Sequence, residues 1–317
     1  MNRSSLPFCF WANNHNIWSA DVRRELKECG INEVSIEPSS YMPEKYSLDD
    51  VRRLRELLDN DGINVTTSHP PFGSFNQRFS TLRQSKSGLE EDWAYLKEFL
   101  VRCSLLGVKA IPLHTGGAML PDAQSWEIDS AYRYVEELLP VAENNNVIIA
   151  VENTNHATAI GFYPGLEEQV PLNLNIWKFD DTERILEFVH SFDSPYVKVC
   201  YDTGHSHLLG RMLPDFWAFY DDIVMLHLHD NDEAGSDAHI QPGYGNSDWK
   251  TLFDGVRQMK HMPVLFVESL PYFGDVRLFA SEMNALWENR VIRKKGGFYK
   301  KDEDNGHLLI TEENKQC

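Results

Sequence analysis

Histidine and carboxylate side chains close a series of short apolar runs along this chain. The residues are His69 after NVTTS, His114 after AIPL, Glu152 after VIIAV, Asp202 after VKVCY, His227 and His229 in VMLHLHD, and Glu268 after VLFV. Burying a carboxylate without a partner costs free energy. A carboxylate at the end of an apolar run is therefore usually paired with a cation. A single buried histidine is more often a hydrogen-bonded core residue. Six successive runs that end in such groups instead indicate one shared site.

The chemistry of this set is that of a divalent cation. Zn²⁺, Mn²⁺ and Mg²⁺ are bound by such a set of two glutamates, an aspartate and imidazole nitrogens. Copper and iron–sulfur sites instead prefer thiolate ligands. His205 follows Asp202 by three residues in DTGH, close enough to serve the same cluster. His227 and His229 are two residues apart in a predicted strand, so both side chains could face the barrel interior. Only one of them need bind metal.

A later loop, DAHIQPGYG, adds Asp237 and His239, which face one way if the segment is extended. The alternative for this loop is a hydrophilic connection. His156, after VENTN, could touch a substrate. Four further histidines are interpreted as structural or solvated: His15, His190, His261 and His307.

The elements that must position these residues alternate regularly. Eight β-rich runs are predicted at Pro7–Ala12, Glu33–Glu37, Asn64–His69, Ala110–His114, Val147–Glu152, Val197–Asp202, Val224–Asp230 and Val264–Glu268. Eight segments with helical periodicity are predicted at Ala20–Cys29, Leu48–Asn60, Leu89–Leu106, Asp129–Glu143, Asp180–His190, Pro214–Tyr220, Ser247–Met259 and Val276–Asn289. This alternation predicts a single (β/α)8 TIM barrel of the α/β class, with a doubly wound open sheet as the alternative.

Two segments fall outside the repeat. The connection 153–179 is rich in Asn, Pro and Gly, as is typical of binding loops and lids. We expect a barrel domain over residues 1–292 and a charged C-terminal tail over 293–317, with a short strand or docking segment near Leu308–Thr311.

The amino-acid composition limits the kinds of molecule that this protein is expected to bind. The 317 residues are 42% hydrophobic and 25% charged, which is ordinary for a globular protein, and the net charge of −18 repels phosphate backbones and anionic lipids. Nucleic acid is therefore an unlikely partner, and no run approaches a membrane span. The five cysteines show no CxxC pair, so we expect reduced thiols and a cytoplasmic protein.

The ordered motifs resemble a known superfamily. They are SHPPFG with His69, LHTGG with His114, VENT with Glu152, YDTGH with Asp202 and His205, LHLHDND with His227, DAHIQPGYG with Asp237 and His239, and VES with Glu268. Together, over about residues 7 to 289, they are similar to the xylose isomerase-like TIM barrels. That superfamily includes sugar phosphate isomerases and epimerases as well as AP endonucleases of the endonuclease IV type.

The resemblance implies site roles. Glu152, Asp202, His227 and Glu268 match the four ligands of the single divalent ion in the isomerase branch. His69, His114, His205, Asp237 and His239 match the additional ligands of a three-zinc cluster in the endonuclease branch, and otherwise would bind substrate or a second metal. The chain carries both patterns.

Two hypotheses follow. In the first, the protein is a metal-dependent isomerase or epimerase of a small sugar, keto-sugar or cyclitol, and Glu152 and Glu268 transfer a proton through a metal-stabilised enediolate. In the second, it is a zinc phosphodiesterase that acts on abasic DNA.

Charge favours the first hypothesis. The loops NTNHATAIGFYPGLEEQVPLN and HDNDEAGSDAHIQPGYGNSD contain no Lys or Arg, whereas a DNA enzyme needs a basic face. We therefore expect a small sugar or polyol substrate, and a homo-oligomer is compatible with the sequence. The alternative of a non-catalytic sugar-binding barrel would not explain the presence of both Glu152 and Glu268.

Overall fold

The computed structural model describes residues 6–12, 16–70, 89–115, 125–153, 181–231, 237–269, 276–289, 299–301 and 308–310. The whole predicted ring of strands falls within these residues. His15, His156 and His307 lie outside them, so the interpretations given to these three histidines stay predictions.

The eight predicted strands form one closed barrel. They are β1 (Phe8–Trp11), β2 (Glu33–Ser35), β3 (Asn64–Thr67), β4 (Ala110–His114), β5 (Ile148–Glu152), β6 (Val197–Asp202), β7 (Ile223–Leu228) and β8 (Val264–Val267). Neighbours are parallel, and β1 closes the ring on β8 with Phe10 opposite Val267. The (β/α)8 prediction is confirmed, and the open doubly wound sheet is excluded because the ring has no edge.

Helices surround the barrel between the strands. The described ones are α1 (Ala20–Glu28), α2 (Leu48–Asp61), α3 (Leu89–Leu106), α4 (Ser125–Asn145), α5 (Thr182–Ser191), α6 (Thr203–Leu208), α7 (Met212–Phe219), α8 (Trp249–Val256) and α9 (Val276–Trp287). Local signals set their ends: Ser47 and Asp50 form a capping box at the start of α2, and Gly62 ends it in the left-handed region at φ 71°. None of the described helices is long and apolar enough to cross a membrane.

Strand alternation separates an outer core from the barrel interior. Outward-facing Phe8 packs on Phe253 and Phe10 on Phe279, with ring centroids 5.7 and 5.2 Å apart. A smaller buried cluster holds Ala110, Ala150, Cys200 and Met225. These four lie two or four residues before the histidine and carboxylate residues on the same strands, so they lie beneath the site inside the barrel.

The strand ends differ from the prediction where the site begins. β3 ends at Thr67 rather than His69, β7 at Leu228 rather than Asp230, and β8 at Val267 rather than Glu268. The site residues beyond these ends therefore lie just outside the strands, although the N–H of Glu268 still donates to the Leu228 carbonyl at 3.1 Å. Helix α6, directly after β6, was not predicted, and α4 begins four residues earlier than predicted.

The C-terminal region contains an antiparallel pair, β9 (Tyr299–Lys301) with β10 (Leu308–Ile310). The expected strand near residues 308–311 is thus present. The division into a barrel of residues 1–292 and a tail of 293–317 stays a prediction.

Candidate metal centre

The strand-end residues meet at one mouth of the barrel. Strand pairing sets His114 opposite Glu152 and Asp202 opposite His227. Glu268 follows β8, in which Phe266 is opposite His227. Because the carboxyl ends of parallel strands share one edge, residues far apart in sequence become neighbours here.

Glu152, Asp202, His227 and Glu268 form a group that we call the inner cluster. Nδ1 of His227 lies 2.8 Å from Oε2 of Glu268, 3.3 Å from Oε2 of Glu152 and 3.9 Å from Oδ2 of Asp202. One donor atom from each of the four residues lies within 4.8 Å of the others. All four side chains are buried, which leaves three carboxylates around one imidazole in a site with little water.

His69 and His114 extend this group toward β3 and β4. Nε2 of His114 lies 3.0 Å from Oε2 of Glu152, and the two imidazole rings meet edge to face at 5.0 Å. Donor atoms of His69, His114 and Glu152 also lie within 4.8 Å of one another. Glu152 therefore belongs to two adjoining groups of donors.

On the opposite side, His229, Asp237 and His239 form a second group, which we call the outer cluster. Oδ1 of Asp237 lies 3.8 Å from Nδ1 of His229, and its Oδ2 lies 3.4 Å from Nε2 of His239. His205 stands between the clusters, 3.4 Å from Asp202 and 3.2 Å from Asp237.

Three of the histidines share one hydrogen-bonding pattern. Nδ1 of His69 lies 2.8 Å from the Pro70 carbonyl, and Nδ1 of His205 lies 2.7 Å from that of Asn153. Nδ1 of His239 lies 2.8 Å from the Glu268 carbonyl. A backbone carbonyl can only accept, so Nδ1 must donate in each case, and Nε2 is the nitrogen left to face the site. Metal-binding histidines are typically oriented in this way.

The pKa values of the carboxylates reflect this concentration of imidazoles. Burial would raise the pKa of Glu268, but the adjacent His227 outweighs burial and holds it at about 2. Burial would also raise the pKa of Asp237, but the neighbouring His205 outweighs burial and keeps this pKa well below its usual range. Both carboxylates are therefore ionised at neutral pH and attract cations.

The histidine pKa values move in opposite directions. Burial, reinforced by the neighbouring His114, lowers the pKa of His69 to about 4. Burial also acts to lower the pKa of His239, but its contact with Asp237 and the charge of Glu268 outweigh it and raise the pKa to about 9. His69 is thus a neutral donor, while His239 holds a proton that a metal ion would replace.

Two supporting residues were missed by the sequence analysis. Asn153 follows Glu152, and its amide bonds Asp202 twice, with Nδ2 donating to the carbonyl at 2.9 Å and Oδ1 accepting from the backbone N–H at 2.6 Å. Asp230 is fully buried. Its carboxylate accepts from the N–H groups of Asn231, Gly243, Gly245 and Ser247 and from the indole of Trp249, at 2.7 to 3.1 Å.

Asp230 thereby fixes the loop that carries the outer cluster. Its backbone also pairs with Ile240, next to His239, through two hydrogen bonds of 2.6 and 2.8 Å. The sequence predicts a common orientation of Asp237 and His239 only if this segment is extended, and His239 departs from an extended conformation with φ 45°. Such a conformation is strained for a residue with a side chain and is often found at functional sites.

The residues present fit a divalent cation. Imidazole and carboxylate donors converge in buried groups of three or four, as hard and borderline ions require. Nδ1 of His229 is buried without a hydrogen-bond partner, as expected where a nitrogen lone pair awaits a ligand. Away from the mouth, His190 pairs with Asp222 at the surface and His261 is exposed, as predicted.

The fold is a TIM barrel, and its carboxyl-terminal mouth carries groups of histidine and carboxylate side chains that could hold a metal ion. The chain belongs to the xylose isomerase-like TIM barrel family, whose model matches residues 23–284. The resemblance in the motifs is thereby confirmed.

The similar proteins include one sequence relative described as an endonuclease and solved structures of epimerases. A probable endonuclease 4 of Mesoplasma florum is 26% identical over 216 residues, which cover 63% of this chain and 66% of that protein. Among solved structures, a D-tagatose 3-epimerase-like protein superposes with a TM-score of 0.65 at 16% identity, covering 89% of this chain and 97% of that one. The 3-keto-D-glucoside 4-epimerase of E. coli gives 0.66 at 13% identity, covering 89% and 99%. At these identities, the structural likeness establishes the fold alone.

Proposed function

We propose that this protein is a divalent-metal-dependent isomerase or epimerase of a small sugar, keto-sugar or cyclitol. The inner cluster carries the proposal, because it sets two buried glutamates beside Asp202 and His227 at one point of the mouth. The epimerases among the solved structures have the same fold, which is consistent with this chemistry.

Glu152, Asp202, His227 and Glu268 would hold the ion, which is Zn²⁺, Mn²⁺ or Mg²⁺ by the nature of the donors. When bound, the ion would polarise the substrate carbonyl as a Lewis acid and make the adjacent C–H more acidic. The low pKa of Glu268 leaves this carboxylate unprotonated and ready to bind a cation at neutral pH.

Glu152 and Glu268 would exchange the substrate proton. Their Oε2 atoms both lie within 3.3 Å of Nδ1 of His227, so a substrate carbon placed at the mouth can reach both. One carboxylate removes the proton next to the carbonyl, and the other returns a proton to the enediolate. General acid–base catalysis of this kind contributes about 10²–10⁴-fold.

His69, His114 and His205 would orient the substrate hydroxyl groups. The pKa of about 4 keeps His69 neutral, so its Nε2 can accept a hydrogen bond from a hydroxyl. The net charge of −18 favours a neutral or cationic substrate over a polyanion. His156 is a further substrate-binding candidate from the sequence and lies outside the described residues.

A second candidate function is a zinc phosphodiesterase that acts on abasic DNA. Two observations favour it: donor groups flank the inner cluster on both sides, and a probable endonuclease 4 is among the relatives. In that case His69, His114, His205, Asp237 and His239 would be additional metal ligands. The acidic net charge and the absence of Lys and Arg from the two loop sequences oppose this reading.

Solvent isotope exchange separates the candidates. The metal-loaded protein is incubated in D₂O with a panel of ketoses, polyols and inososes, and deuterium next to the carbonyl is followed by NMR. We expect incorporation that Glu152→Gln and Glu268→Gln each reduce by orders of magnitude, whereas exposed Glu187→Gln has no effect. Absence of exchange over the whole panel, together with metal-dependent cleavage of abasic DNA at physiological salt, would establish the second candidate instead.

A further inference from the structure

Asp215 is a buried carboxylate that the proposed reaction does not use. It lies on α7, with 2% of its surface exposed. One oxygen, Oδ1, lies 2.8 Å from the guanidinium group of Arg211 and accepts a hydrogen bond from Oγ1 of Thr182 at 3.1 Å. The other oxygen, Oδ2, accepts from Oγ of Ser206 at 2.8 Å. A carboxylate buried to this extent needs such partners, and Ser206 is the partner on the side of the metal centre.

The hydroxyl group of Ser206 has a fixed direction in this arrangement. It carries one proton, and that proton points to Asp215 because a carboxylate can only accept. The lone pairs of Oγ are then left for the side-chain amide of Asn153, whose Nδ2 lies 3.1 Å away. Through Ser206, Asp215 therefore determines that the NH₂ end of this amide faces α6.

The orientation of the Asn153 amide matters because the same amide holds the backbone of Asp202, a proposed metal ligand. Nδ2 also donates to the Asp202 carbonyl at 2.9 Å, and Oδ1 accepts from the Asp202 N–H at 2.6 Å. An amide turned by 180° would place donor against donor and acceptor against acceptor at both contacts. The backbone carbonyl of Asn153 also accepts from Nδ1 of His205 at 2.7 Å. One asparagine thus fixes two neighbouring residues of the centre.

These contacts join four elements behind the inner cluster. Asn153 follows β5, Thr182 is the first residue of α5, Ser206 lies on α6 and Asp215 on α7. All four residues are buried. In a buried network, hydrogen bonds reinforce one another, and water does not readily replace a bond that is lost. A change at Asp215 should therefore reach Asp202 rather than be absorbed by solvent.

We infer that Asp215 is a positioning residue of the metal centre, which acts through Ser206 and Asn153 to hold the backbone of Asp202 in place. The inference rests on the proposed function, because it assumes that the inner cluster binds a divalent ion, which we call the inner ion. Residues that orient metal ligands from outside the ligand set typically change metal affinity or activity 10–100-fold when they are substituted.

Metal affinity tests the inference without reference to turnover. Full-length protein is stripped with a chelator, and Zn²⁺ is titrated in competition with a fluorescent zinc chelator. The inner ion is identified as the one that His227→Gln loses. We expect Ser206→Ala and Asp215→Asn each to bind the inner ion about 10–100-fold more weakly than the wild type.

The two variants act at successive points of the same route. Ser206→Ala removes the hydroxyl group to which the Asn153 amide donates. In Asp215→Asn, Arg211 requires an acceptor on its own side, so the new NH₂ group faces Ser206. The serine proton then has no acceptor there, and the direction of this hydrogen bond is reversed.

Thr182→Val is the matched control. It removes a hydrogen bond to the same carboxylate at Oδ1 and keeps the shape of the side chain. It should therefore lower the unfolding free energy in urea without changing the affinity for the inner ion. Circular dichroism verifies the fold of each variant, and Ser206→Ala and Asp215→Asn are independent measurements if one of them does not fold.

A double variant tests the route itself. Because Asp215 acts through Ser206, Asp215→Asn combined with Ser206→Ala should bind the inner ion as weakly as Ser206→Ala alone, within about twofold. Two independent effects would multiply instead. A residue that only stabilises the fold would give the second result.

The contrary outcomes are distinct. Affinity for the inner ion within about twofold of the wild type in the folded single variants would overturn the inference and leave the proposed function standing. Multiplied effects in the double variant, or an equal loss in Thr182→Val, would overturn it in the same way. A wild type that binds no divalent ion would overturn the proposed function and the inference with it.

Discussion

Nδ1 of His227 lies between two carboxylates, 2.8 Å from Oε2 of Glu268 and 3.3 Å from Oε2 of Glu152. One nitrogen can donate one hydrogen bond, so the two carboxylates share a single positive partner. Burial acts to lower the pKa of His227, but nearby Cys200, Glu152 and Glu268 outweigh burial and raise this pKa well above its usual value. Without a metal ion, the imidazole is the principal group that offsets the repulsion between the two glutamates.

Substitution of His227 should therefore affect both metal content and stability. His227→Gln is expected to lose the inner ion and to destabilise the metal-free protein by about 3–5 kcal/mol, because two buried carboxylates lose a partner. Urea unfolding after chelation and a metal count on the reloaded protein measure the two effects. The surface pair of His190 and Asp222 supplies the control, since His190→Gln should change neither. Unchanged metal content in His227→Gln would mean that His227 is not a ligand.

Asp230 should act on the outer cluster without touching it. Asp230→Asn replaces one accepting oxygen with an NH₂ group that faces N–H donors, so we expect a loss of at least about 3 kcal/mol in unfolding free energy. Displacement of the loop should move Asp237 and His239 away from the mouth and leave metal binding by the inner cluster nearly unchanged, which competition with a fluorescent zinc chelator can measure. Gly245→Ala should behave similarly, because its Cβ would lie 2.3 Å from Oδ1 of Asp230. Asp254→Asn, on the surface, is the control. Weakening of metal binding by the inner cluster as large as that in His227→Gln would contradict an effect confined to the loop.

The barrel was predictable because its signals are local and repeated. Runs such as VIIAVE are apolar throughout, as strands buried on both faces must be, and Gly62 marks the end of its helix. Helix α6 was missed because TGHSHL has no apolar period. Its start depends on the side chain of Asp202, which accepts from the N–H of His205 at 2.7 Å.

Only the site residues at the ends of strands could be located from the sequence. Parity places His227 and His229 on the same face but does not say which carboxylates each will meet. The approach of His229 to Asp237 depends on the loop after β7, whose course is set by hydrogen bonds to Asp230. The positive φ of His239 likewise follows from this tertiary contact rather than from a sequence signal.

The cysteines should be unreactive in the folded protein. Burial raises the pKa of Cys9, Cys103 and Cys200 to about 12 each, and only the thiolate is alkylated. We expect iodoacetamide at pH 8 to label these three at least about 1,000-fold more slowly in the native state than in urea. Peptide mapping by mass spectrometry gives the rates for each residue. Rapid native labelling of Cys200 would show that the barrel interior opens to solvent.

The stability of the metal-free protein should depend on pH through two histidines with opposite signs. The pKa of His69 falls from 6.5 to about 4 on folding. The unfolded chain therefore binds the extra proton between these values, and His69 costs stability as the pH drops below 6.5. The pKa of His239 rises from 6.5 to about 9. Its contribution is fully present below pH 6.5 and is lost as the pH rises to 9.

Substitution of either histidine should remove its own contribution to the pH dependence of stability. Relative to His69→Asn, the wild type should lose up to about 3 kcal/mol of unfolding free energy as the pH falls from 6.5 toward 4. Relative to His239→Asn, it should lose a similar amount as the pH rises from 6.5 to 9. Urea titrations of chelator-treated protein between pH 4 and 9 provide the differences, with exposed His261→Asn as the control. If the wild type and His239→Asn differ by the same amount at pH 6.5 and pH 9, His239 does not hold a proton beside Asp237, and the assignment of the outer cluster's charge is wrong.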